Sequence, residues 1–104
     1  STRARRALDD ALAAEAKGDR RAAASAVERA LVVAVEGATG IKIRALLSHE
    51  VQPALEAAGL PSGRVAAVVE LLAVCEHERF QPGEKEASEP LSARAKPLIE
   101  ALSR

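Results

Sequence analysis

Aromatic, sulfur-bearing and net-charge features are nearly missing from this chain. Its 104 residues include no Trp, Tyr or Met, one Phe and one Cys. A single aromatic, Phe80, excludes aromatic-lined ligand pockets and base-stacking surfaces. The lone Cys75 has no partner for an internal disulfide, which fits a reducing compartment. Lys and Arg number 15 against 15 Asp and Glu, a formal net charge of zero. That removes the basic excess by which a nucleic-acid binder releases counterions from phosphates, or a polybasic module holds a membrane surface. No apolar run approaches the roughly 18 residues of a membrane span. The chain opens on Ser1-Thr2-Arg3, without Met or a signal peptide, and is expected to be a piece of a longer protein.

What is present favours helices. Alanine, the strongest helix former, fills 24 positions. Leu, Ile, Val and Phe add 25, above the roughly one-fifth level at which chains become disordered. A first helix is expected from about residue 3 to 17, with Leu8 and Leu12 on its apolar side, ended by Gly18. Asp19 then caps a second helix over 20–36, so the joint is short enough to force an antiparallel hairpin. Gly37 and Gly40 are expected to break it, and residues 41–47 form a packed connection. Ser48 reads as the cap of a third helix through Ala58, closed by Gly59, with a kink or a late start at Pro53. Ser62 or Gly63 opens a fourth helix over 64–79, whose inner face is Val65, Val68, Val69, Leu72, Cys75 and Arg79. Residues 81–88, with Pro82-Gly83, read as an exposed loop. Ser88 caps a fifth helix carrying Leu91, Ala95, Leu98, Ile99 and Leu102 on one stripe, bent at Pro97. The fold class is therefore all-α. Residues 1–104 form a single domain, a small bundle of four to five amphipathic helices beginning with a tight antiparallel hairpin.

Candidate chemistry is sparse. His49-Glu50 lacks the second His one turn on that a zinc helix requires, and Pro53 stands in its place. Cys75, Glu76, His77 and Glu78 are consecutive, so on a helix they point about 100° apart and cannot converge. A hydrolytic metal centre would have to join His49 to His77. Gly37-Ala38-Thr39-Gly40 lacks the Lys-Ser/Thr pair of a phosphate loop. The expectation is a chain without catalytic residues, metal or cofactor. Arg3, Arg5 and Arg6 cluster at the amino end, either as a solvated helix start or as a juxtamembrane basic patch just inside an upstream span.

The second half carries a more specific string. Leu47-Ser48-His49-Glu50-Val51, Ala57-Ala58-Gly59-Leu60-Pro61 and Leu71-Leu72-Ala73-Val74-Cys75-Glu76-His77-Glu78-Arg79-Phe80 follow the Gly18-Asp19 joint in order. Together they resemble the carboxy-terminal helical domain of BatD-like oxygen-tolerance (aerotolerance) proteins, over residues 7–102. The sharpest element is Cys75-Glu76-x-x-Arg79-Phe80. The resemblance implies a bacterial inner-membrane scaffold with this domain on the cytoplasmic face. Its expected partners are MoxR-type AAA+ ATPases and von Willebrand A-domain proteins, in stress tolerance or envelope-complex assembly. No catalytic residues, nucleic acid or small-molecule substrate are implied. Phe80 is expected to plug the end of the bundle, and Arg79 to pair with a carboxylate such as Glu76. An alternative is a soluble tetratricopeptide-like adaptor, on the small residues around Lys17–Ala22, although no second copy recurs at the 34-residue period.

Overall fold

Gly18 makes the first corner. It adopts φ +76°, and its N–H donates to the Glu15 carbonyl while the Asp19 N–H donates to Ala14. These two bonds are a Schellman closure, which needs the left-handed conformation that glycine takes without steric cost. The Asp19 carboxylate accepts from the Ala22 N–H at 3.0 Å and starts the next helix at once. In the computed structural model, which describes residues 2–80 and 89–103, α1 (Thr2–Ala16) and α2 (Arg20–Thr39) thus form the expected tight hairpin. A 3-10 turn (Ile43–Ala45), α3 (Ser48–Ala57), α4 (Ser62–Phe80) and α5 (Leu91–Leu102) follow. The described residues are all-helical, with no strand.

Several boundaries differ from expectation, each for a local reason. Helix α2 runs through Gly37 and stops at Gly40. A glycine inside a helix costs only about 1 kcal/mol, which is no stop signal for a packed helix. Thr39 turns the chain out, its hydroxyl donating to the Val35 carbonyl and accepting from the Ile41 N–H. At α3 the cap position belongs to Leu47, with Ser48 already helical. The Glu50 carboxylate reaches back to the Leu47 N–H at 2.7 Å and does the work assigned to a Ser48 side chain. Pro53 does not delay this helix. It lies exposed, as does His49, whose carbonyl loses its helical donor on the watered side. Exposed Pro97 likewise sits inside an uninterrupted α5. The Pro61 carbonyl accepts from Arg64 and Val65, so α4 starts at Ser62, two residues before the expected Arg64. Pro90 occupies the cap position of α5. The expected loop over 81–88 and the Ser88 cap lie outside the described residues.

Helix α2 is the axis of the domain and packs against α1, α4, α5 and the 3-10 turn, while α3 packs on α4. Toward α2, α1 turns Ala4, Ala7 and Ala11, with Leu8 half-buried. Leu12 is exposed rather than on the inner stripe. Small residues let α1 and α2 approach closely, and a leucine on that seam would hold them apart. The largest fully buried side chains are Leu31, Leu55, Val27, Val35, Val65, Val68 and Cys75, none of them aromatic. The same core includes Ile43 from the connection and Leu91, Ala95, Ile99 and Leu102 from α5. No described helix is long and apolar enough to cross a membrane.

Candidate functional site

The last two turns of α4 hold the motif residues, and helical period turns them to different sides. The inner stripe of α4 is Val65, Val68, Leu71, Cys75 and Glu78, spaced three and four apart. Val69 and Leu72 are half-buried beside it. Cys75 is fully buried in this stripe. Burial, and then the nearby Glu28 carboxylate, push its thiol up from 9.0 to about 12, the opposite of what a nucleophile needs. Glu76 and His77 point outward and are exposed.

Glu78 continues the inner stripe, and the Arg20 guanidinium meets its carboxylate at 2.6 Å. The two side chains are 31% and 12% exposed, Arg20 and Glu78 respectively. Sequence reasoning missed this pair, because its members are 58 positions apart. The spacing 68, 71, 75 extended by three was the available signal for Glu78. A second cross-element carboxylate, Glu15 of α1, accepts from both the N–H and the hydroxyl of Ser92 at the start of α5. It acts as the cap that Pro90 cannot supply.

Arg79 and Phe80 both depart from expectation. Arg79 pairs with Glu28 of α2 at 2.7 Å, not with Glu76. The guanidinium lies beside the α2 surface, where a half-buried carboxylate is a better partner than a solvated one on its own helix. Phe80 does not plug the bundle. It is 72% exposed, two residues and about 200° around the helix from Glu78. The Arg79 guanidinium sits 5.8 Å from the ring centroid, and a shallow cleft beside the ring is lined by Arg21 and Ser25 of α2. The chain's one aromatic is therefore displayed on the surface with a cation beside it.

Adjacent to this end lies a groove of about 400 Å³ between α2, the 3-10 turn, α3 and α4. Val32, Leu46, Val51, Val69 and Leu72 give it an apolar floor. Arg44, Glu76 and the Glu28–Arg79 pair supply its polar groups. The structure thus sends Cys75 inward, Glu76 and Arg79 to the groove, and Phe80 to the neighbouring surface. Arg3, Arg5 and Arg6 are all exposed in the first turns of α1, away from the motif in sequence and on a helix start that lacks any acidic residue. Among the described residues no group of three His, Cys, Asp or Glu side chains could hold a metal, and the exposed His49 and His77 form no such centre. Comparison with protein families, curated proteins and solved structures finds no match.

Proposed function

We propose that the chain is a non-catalytic protein-interaction domain of a BatD-like inner-membrane scaffold, held at the cytoplasmic face. There it docks a MoxR-type ATPase or a von Willebrand A-domain protein. The observation that carries this reading is the exposed Phe80 with Arg79 beside its ring. Aromatic and Arg side chains are the residues most enriched at binding hot spots, and a lone Phe in an aliphatic protein has no packing reason to stand in water. The motif string Cys75-Glu76-x-x-Arg79-Phe80 supports the family assignment. The exposed Arg3, Arg5 and Arg6 support an upstream membrane span, whose cytoplasmic flank such residues mark.

The test is a titration of the purified chain against the purified MoxR-type ATPase and A-domain proteins of the same genome. Binding to one of them, weakened about tenfold or more by Phe80→Ala with the circular dichroism unchanged, is the expected result. No binding to either by about 1 mM refutes the partner assignment. The gene upstream of Ser1 tests the rest. An apolar span of about 20 residues shortly before Arg3 is expected, whereas a soluble helical repeat there would favour the tetratricopeptide-like adaptor.

A further inference from the structure

Leu47 has no task inside the fold. It holds the N-cap position of α3, where Ser, Thr, Asp or Asn would offer a side-chain acceptor. Only its backbone takes part in the cap, the N–H donating to the Glu50 carboxylate and the carbonyl accepting from the Glu50 N–H. The side chain is 63% exposed. Its chain neighbours Leu46 and Ser48 both line the apolar groove, while Leu47 stands outside it. A leucine displayed beside an apolar groove, and not seated in it, makes a knob next to a hole.

The polar groups of the groove have a matching property. Arg44 on the 3-10 turn and Glu76 on α4 are both exposed, and neither forms an ion pair among the described residues. Glu28 and Arg79, the other charged side chains lining the groove, are paired with each other. One unpaired cation and one unpaired anion on the same surface are self-complementary under a twofold axis, which exchanges them. A formal net charge of zero also removes the repulsion that keeps many small domains apart.

We propose that this groove takes a second copy of the chain. The two meet about a twofold axis, each Leu47 entering the groove of the other copy, with Arg44 facing Glu76 of the partner subunit. The dimer does not depend on the BatD-like reading, and its groove shares only Arg79 with the cleft beside Phe80. One small groove per copy places the contact at the low end of interface sizes, so a reversible dimer with Kd on the order of 10 to 500 µM is expected.

Sedimentation equilibrium of the full chain from about 10 µM to 1 mM tests it. Leu47→Glu is expected to weaken the dimer roughly tenfold or more, by placing a charge in an apolar seat. Arg44→Glu or Glu76→Arg alone should each weaken it about fivefold or more, through like charges facing across the axis. The two reversals combined in one chain should restore affinity to within about twofold, because every cross-axis pair is then inverted and none is lost. All three side chains are exposed, and unchanged circular dichroism with an unshifted melting curve at low concentration confirms that the variants fold. A chain still monomeric at the highest concentration overturns the proposal. So does a dimer indifferent to Leu47→Glu, or a double reversal no better than the singles. Occupation of the groove by a helix of another protein, with the chain monomeric, equally overturns it.

Discussion

Removing either member of the Arg20–Glu78 pair should destabilise the domain by different amounts, and the difference follows from where each side chain sits. The Glu78 side chain is 12% exposed and belongs to the inner stripe of α4, whereas Arg20 is 31% exposed at the start of α2. Arg20→Ala leaves a carboxylate where water cannot reach it freely, beside a small cavity also lined by Glu15 and Glu89. Glu78→Ala leaves a cation with a path to solvent. Stripping one partner from a fully buried pair costs about 3 to 5 kcal/mol, and a fully exposed pair contributes about 0 to 1. With one partner a third exposed, we expect about 2 to 3 kcal/mol for Arg20→Ala and about 1 for Glu78→Ala. Replacing both, as Arg20→Ala with Glu78→Leu, should recover most of the loss, since no charge then remains buried. Urea unfolding reads these as midpoint shifts at constant slope. For a domain this size each kcal/mol is also about 4 to 8 °C in Tm. Equal costs for the two single variants, or a larger cost for Glu78→Ala, would refute the burial argument.

The remaining expectations concern the core, the thiol and the cap of α5. Leu31→Ala, at a fully buried site, should cost about 3 to 5 kcal/mol, and Phe80→Ala less than about 1.5, in the same urea assay. The reverse order would mean that Phe80 is packed. Cys75, ionising near 12 when folded and near 9.0 when unfolded, binds its proton more tightly in the native state. Its contribution to stability is therefore complete below pH 9 and is lost as pH rises toward 12, at about 1.4 kcal/mol per unit. Cys75→Ala should flatten this slope, and an identical slope in the variant would discount the thiol. Glu15→Ala removes both acceptors of Ser92 and should cost about 1 to 3 kcal/mol. Hydrogen exchange should then quicken first at the amino end of α5, and uniform exchange across that helix would count against the cap.

Local chemistry alone determined the helical content and the opening hairpin. Ala-rich periodicity, the Gly18 closure with the Asp19 cap, and Gly59 after α3 each act within one or two turns, so their meaning survives without knowledge of neighbours. The inner residues Val65, Val68, Cys75, Ala95 and Ile99 were legible from the same period. The candidate site was legible only in part. The residues of the motif stood out, but Phe80 was expected inside and is outside, and Arg79 was expected to pair on its own helix and reaches α2. Hydrophobicity says which residues favour burial, while the rotation of α4 against α2 decides which of them obtain it. Partners 51, 58 or 77 positions away, as in Arg79–Glu28, Arg20–Glu78 and Ser92–Glu15, exist only once helices pack. The groove beside Leu47 has the same origin, since its floor comes from α2, α3, α4 and the turn between α2 and α3. Tertiary structure decided these features because a helix fixes the angle between its own side chains and leaves free the angle it presents to its neighbours.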